Sequence, residues 1–204
     1  MVKVNRKEAE PMKEGYVDNR FASLYYKEMG QGMPLIMLHG NGESHEIFAR
    51  LSELMSRYYR VILMDSRGHG SSLMKEEAAG GDLTIPDMAA DVVQVMEFLH
   101  VPRAVILGFS DGANVALETA SCYPGRVSAV VAVSGNALPR GMSAASLMEV
   151  KIKYALWRGL EKVPLPRGVR ERAVKSRQLL GLMARWPRLD KEKLSCIQAP
   201  VLIL

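Results

Sequence analysis

The chain has 204 residues, of which 48% are hydrophobic and 24% charged. That is enough apolar material for one well-buried core and excludes a disordered chain. Cys122 and Cys196 lack any metal-ligand spacing, which argues against a disulfide framework or a zinc site, and the net charge of +5 is uneven: residues 140–193 hold 14 Lys and Arg against 5 Asp and Glu, the remainder 13 against 17.

Residues 1–14 form a polar segment without the pattern of a signal peptide. No apolar run approaches membrane-spanning length, so the expected compartment is the cytoplasm and no membrane partner is expected. Two short β-prone runs over 15–18 and 21–30, separated by Asp18, Asn19 and Arg20, predict an antiparallel hairpin at a sheet edge. Leu35 to Leu38 reads as a buried strand ending in His39-Gly40-Asn41-Gly42, followed by a helix over 47–58 capped by Ser44. Arg60 to Met64 is the next buried strand, ending in Asp65-Ser66-Arg67-Gly68-His69-Gly70. A glycine- and charge-rich loop then runs to about Leu83. Thr84 to Asp87 is a capping box with proline in the first turn, and Met88, Val92, Val95, Met96 and Leu99 give the helix it starts an apolar face.

The next stretch organises the chain. Ala104 to Leu107 is an apolar run of strand length; it meets Gly108-Phe109-Ser110-Asp111-Gly112 and passes directly into the helix formers of 113–120. A nucleophile at the tip of so sharp a bend needs small residues two before and two after it, which Gly108 and Gly112 supply. The helix N-terminus then aims free N–H groups at the Ser110 hydroxyl, where negative charge develops during acyl transfer.

Val127 to Val133 is another buried strand, ending at Ser134-Gly135-Asn136. Strands alternating with helices at this pace predict an α/β fold with a mostly parallel, doubly wound sheet and strand ends converging on one rim. From Pro139 the pattern changes. Leu147, Val150, Tyr154 and Trp157 recur at helical spacing, as do Val169, Ala173, Leu180 and Met183, with Pro164 and Pro166 breaking between two helices. Residues 199–204 read as one more buried strand.

Taken together, these motifs resemble the α/β-hydrolase superfamily over essentially the whole chain after Gly15. His39-Gly40-Asn41 looks like the loop that supplies an oxyanion-hole donor, 65–70 like the loop after the family's fourth strand, and Gly108 to Gly112 like its nucleophile elbow. The resemblance implies an α/β-hydrolase core over 15–139, a helical basic cap over 140–193, and the start of the next core strand over 194–204. It also implies Ser110 as nucleophile, with the backbone N–H groups of Asn41 and Asp111 as oxyanion hole, and neither cofactor nor metal.

The sequence departs from the family in its triad. The family order is Ser, then Asp or Glu, then His, yet His39, His45, His69 and His100 all precede Ser110. Asn136, where some members place the acid, cannot ionise. The expectation is a C-terminally truncated serine hydrolase, acting on an ester or related small acyl substrate, whose 204 residues alone are nearly inactive. Cofactor-independent haloperoxidase or carbon–carbon hydrolase chemistry would use the same residues, and a non-catalytic binding or interaction domain is the reading from a different class.

Other signals are weaker. Gly40-Asn41-Gly42 after a strand invites a dinucleotide site, but His45 stands where the third glycine belongs. Asp65, Arg67 and His69 are expected to tie down a rim loop rather than to react. The basic segment either focuses anionic substrates or is the solvated side of an amphipathic helix carrying Arg170, Arg172, Lys175 and Arg177; the pattern leans to the second. Aromatic residues are only 6% and no recognition motif accompanies the charge, so nucleic acid is not an expected partner. An apolar strand at 201–204 is expected to promote self-association through the sheet edge.

Overall fold

The computed structural model describes residues 12–79, 81–161 and 163–204. The polar segment expected at 1–14 therefore lies, up to residue 11, outside the described residues.

The hairpin is present: β1 (Lys13–Asp18) and β2 (Ala22–Met29) pair antiparallel. They are followed by β3 (Met33–Leu38), α1 (Ala49–Met55) and β4 (Tyr59–Met64). Ser44 caps a single 3-10 turn ahead of α1, which makes the regular helix shorter than the expected 47–58. The loop after β4 holds two elements the residue pattern does not announce, β5 (Leu73–Met74), paired with β2, and the single turn α2 (Glu76–Ala79). Next come α3 (Ile85–Phe98), β6 (Ala104–Phe109), α4 (Asp111–Cys122) and β7 (Val127–Val133). Thr84 accepts a hydrogen bond from the Asp87 N–H at 3.2 Å and Pro86 sits in the first turn of α3, as the capping box requires. A helical hairpin, α5 (Ala144–Leu160) and α6 (Arg167–Arg185), precedes the short α7 (Lys191–Ser195) and β8 (Val201–Ile203).

The sheet runs β1-β2-β4-β3-β6-β7-β8, with β5 beside β2, and is parallel from β4 to β8. Chain order reverses direction between β3 and β6: β4 lies on one side of β3 and β6 on the other. Loops leaving the C-terminal ends of β3 and β6 therefore diverge and leave a crevice between them. Register puts the crevice at one level, because Leu38 pairs with Met64 on one side and with Gly108 on the other.

Alternation along the strands divides the core. Ile36, Leu38, Ile62, Met64 and Ile106 face α3 and α4, and Leu35, Met37, Val61 and Leu63 face Phe48 and α1. Ten of the twelve residues of α4 are buried. Its Ala113, Ala116 and Ala120 let the helix lie close to the sheet. Strand β8 differs from expectation. It pairs parallel with β7, but Val201, Leu202 and Ile203 are 37%, 54% and 73% exposed, because among the described residues it has one strand neighbour and no helix across its face.

The basic helix α6 also departs from the sequence reading. Its buried face is Ala173, Arg177, Gln178, Gly181, Leu182 and Ala184 rather than a stripe through Val169, which is exposed. Arg177, expected on the solvated side, is 5% exposed and pairs with both Glu161 and Asp82. The Arg185 guanidinium pairs with the other oxygen of Asp82, and Gln178 donates to the Gly81 carbonyl. These contacts clamp α6 to the loop before α3.

Candidate active site

Ser110 caps α4 with φ 53° and ψ −118°, a left-handed backbone that a residue with a Cβ adopts only under strain. Packing enforces the bend. A Cβ on Gly108 would stand 2.1 Å from the Gly112 carbonyl oxygen, and one on Gly112 would stand 2.1 Å from the Leu38 carbonyl oxygen. Only glycine admits both contacts, so the spacing read from sequence reflects strand, turn and helix pressed together. The Ser110 N–H donates to Val133 at 2.8 Å, and its carbonyl accepts from Ala113 and Asn114. Its hydroxyl makes no hydrogen bond among the described residues and is half-buried at the crevice.

The loop after β3 meets this bend. A Cβ on Gly40 would lie 3.1 Å from the Ser110 Cβ, so the two segments touch. The Gly40 N–H is occupied, donating to Glu43 Oε2 at 2.9 Å. The backbone N–H groups of Asn41 and Asp111 make no hydrogen bond among the described residues. The Asn41 side chain does the reverse: its Nδ2 donates to the Leu179 carbonyl at 2.9 Å, and its Oδ1 lies 3.1 Å from His69 Nε2. Nothing in the sequence points to that tether, which joins the loop to α6.

Asp65 and its neighbours are anchors. The Asp65 carboxylate, fully buried, accepts from the N–H groups of His45 and Ser71 and faces the His45 ring at 3.0 Å. Arg67 forms a two-pronged ion pair with Asp91 of α3 at 2.6 and 2.7 Å, fixing the loop after β4 to the helix layer.

None of the four histidines hydrogen-bonds the Ser110 hydroxyl. His39 spends both ring nitrogens: Nδ1 donates to the Gly40 carbonyl at 2.7 Å, and Nε2 accepts from the Ser66 N–H at 3.1 Å. Burial holds its pKa below the usual value, consistent with a neutral ring. His69 has Arg67 O at 3.0 Å and Asn41 Oδ1 at 3.1 Å, two acceptors, so a neutral ring donates to only one. Burial nevertheless pushes its pKa down to about 4. His45 faces Asp65, and His100 precedes β6, at the end of the strand remote from Ser110, roughly 20 Å away along six residues of strand.

Asn136 is equally committed. Its N–H and Oδ1 both bond the Asn114 amide, and its Nδ2 donates to the Leu138 carbonyl. The Asp111 carboxyl accepts from Asn114 Nδ2 at 2.9 Å through Oδ1, while Oδ2 is buried without a partner among the described residues. Desolvation pushes its pKa up, towards the protonated acid. The structure thus gathers Ser110, Asn41 and Asp111 at one crevice and leaves every imidazole engaged elsewhere or at the far end of the sheet.

Comparison with known proteins agrees with this architecture. The family described as alpha/beta hydrolase fold matches residues 33–165. The chain is 34% identical over 104 residues to the AB hydrolase superfamily protein YisY of Bacillus subtilis (strain 168), covering 50% of this chain and 37% of that protein. It is 30% identical over 128 residues to a proline iminopeptidase of Neisseria meningitidis, covering 60% and 40%. The matched part is thus about two fifths of the length of either relative. Among solved structures, Est816, described as an N-acyl homoserine lactone degrading enzyme, superposes with a TM-score of 0.66 at 28% identity, over 92% of this chain and 80% of that one.

Proposed function

We propose, for a chain that belongs to the alpha/beta hydrolase family, that Ser110 is the nucleophile of a serine hydrolase acting on esters or related small acyl compounds. The observation that carries this reading is the backbone of Ser110: a left-handed residue between two glycines that tolerate no side chain, at the N-terminus of a buried helix and against the Gly40 loop. Such strain is retained where an exposed hydroxyl is needed.

In this reading the hydroxyl oxygen attacks the carbonyl carbon, and the free N–H groups of Asn41 and Asp111 take the developing oxyanion. The Gly40 and Ser110 N–H groups are already occupied and do not contribute. Collapse of the tetrahedral intermediate expels the alcohol, and water then releases the acyl group from Ser110. The helices α5 and α6 serve as the cap. The hydroxyl proton is taken by a base from outside the 204 residues, because each of the four histidines is committed elsewhere or remote. Without it, the oxyanion hole and substrate positioning sustain only a residual acceleration, roughly 10³–10⁴-fold over water.

Labelling with a fluorophosphonate probe tests this. The expected outcome is slow modification of the chain at Ser110, accelerated by added imidazole, which replaces the missing base in solution, and abolished in Ser110→Ala. Equal labelling of Ser110→Ala, or no labelling of the folded chain at any imidazole concentration, would leave the non-catalytic binding reading in its place.

A further inference from the structure

Helix α6 carries six cations, and most of them are engaged. Arg167 pairs with Glu171, the one acid of the helix, while Arg177 and Arg185 both reach Asp82. Arg172 is turned back along the helix, its Nε donating to the Gly168 carbonyl at 3.2 Å. Arg170 and Lys175 remain, both exposed and both without an ion pair among the described residues.

These two lie on different sides of the helix. Asn41 Nδ2 donates to the Leu179 carbonyl at 2.9 Å, so the side of α6 at Leu179 overlies the loop whose Asn41 N–H is the proposed oxyanion donor. Lys175 precedes Leu179 by four residues, about one turn away on the same side. Arg170 precedes it by nine, about two and a half turns, and points the opposite way. Electrostatics agrees with this placement. Burial first, and the Lys175 charge among the lesser causes, lower the pKa of His69, whose Nε2 lies 3.1 Å from Asn41 Oδ1. The acids around the loop give Lys175 no counter-ion, since Glu43 accepts from the Gly40 N–H and Asp65 is fully buried against His45.

We propose that Lys175 is a specificity-determining residue: it pairs with a carboxylate borne by the substrate, so that the preferred substrate is a half-ester of a dicarboxylic acid. The proposal rests on the reading of Ser110 as nucleophile. The Lys175 ammonium stands over the loop that takes the oxyanion in that reading, so the ester carbonyl and the carboxylate of one small molecule engage loop and cap helix together. A lone ammonium, with the Arg172 fork tied back to Gly168, matches a single negative charge rather than a phosphate dianion.

Calorimetric titration of Ser110→Ala, which removes turnover and keeps the rest of the site, tests this with the monomethyl esters of succinate, glutarate and adipate and with their dimethyl esters. At low salt at least one half-ester is expected to bind about fivefold more tightly than its diester, the upper end for an exposed ion pair, and the preference is expected to shrink in about 0.5 M salt. Adding Lys175→Gln removes the preference and adding Lys175→Arg retains it. Adding Arg170→Gln, the same loss of charge on the opposite side of α6, leaves it intact. Equal binding of every half-ester and its diester, no binding of either by the folded chain, or an equal loss of preference with Arg170→Gln would overturn the proposal. Fluorophosphonate labelling of the chain with serine at position 110 reports the nucleophile separately. Labelling without the preference overturns the carboxylate site alone, and the preference without labelling keeps that site and overturns the hydrolase reading.

Discussion

The side-chain amide of Asn41 donates to the backbone carbonyl of Leu179, 138 residues further along the chain. The same amide faces His69, so one side chain ties the loop after β3 to α6 and to the loop after β4. Asn41→Ala keeps the backbone N–H and removes both contacts. It is expected to cost about 0.5–1.5 kcal/mol in urea unfolding, the worth of the one bond to Leu179, and to raise amide exchange in α6 around residue 179. Unchanged exchange there would show that α6 is held by the Arg177 clamp alone.

Serine at position 110 is costly to the fold. No side-chain capping bond is lost on its removal, since its hydroxyl caps nothing in α4. Ser110→Gly relieves the left-handed strain and Ser110→Ala does not, so the glycine variant is expected to be more stable than the alanine variant by about 1 kcal/mol. The two urea midpoints give the comparison directly.

Glycines 112 and 159 offer opposite outcomes for the same substitution. A methyl on Gly112 has no room against the Leu38 and His39 carbonyls, and Gly112→Ala is expected to destabilise by about 3 kcal/mol or more, with loss of soluble yield. Around Gly159 nothing lies within 4 Å, and its place in α5 favours a helix former. Gly159→Ala should raise stability by up to about 1 kcal/mol in thermal unfolding.

Burial of His69 makes stability depend on pH in a definite direction. Its folded pKa of about 4 lies below the ordinary 6.5, so between those values the unfolded chain binds the extra proton. The group's contribution is complete above pH 6.5 and is lost as pH falls towards 4, about 3 kcal/mol in all. His39, also lowered, acts in the same direction, while Asp111, raised by burial, acts oppositely. The difference between wild type and His69→Gln across pH 4–7 isolates the His69 part. A difference that does not change with pH would refute it.

The Arg67–Asp91 pair is buried, with Asp91 fully inaccessible. Arg67→Met alone leaves a buried carboxylate without its cation and is expected to cost about 3–5 kcal/mol, whereas Arg67→Met with Asp91→Leu should recover most of that loss. A double-mutant cycle from chemical denaturation measures the coupling.

Local signals carried most of the site. Gly108 announces the bend because the clash it avoids, with the Gly112 carbonyl, is between near neighbours in sequence, and Thr84 announces α3 because a cap is completed within four residues. What escaped depends on distant partners. β5 exists only through its register with Ala22 and Ser23, and two residues carry no periodicity. Arg177 reads as a solvated cation until Asp82, 95 residues away, supplies its counter-ion. In α5 both Leu147 and Met148 begin helically spaced apolar rows, and only the position of α6 decides which is covered. The tether through Asn41 was hidden for a like reason, since an asparagine in a turn already has a local explanation.

The contact of the Gly112 α-carbon with the carbonyls of Leu38 and His39 has a mechanical result. The bend bearing Ser110 and the loop bearing Asn41 leave strands hydrogen-bonded to each other at Leu38 and Gly108, which resists their separation, and the contact at Gly112 resists closer approach, so warming should not gradually blunt their alignment. It should persist up to the temperature at which α4 lifts off the sheet and then vanish in a single step.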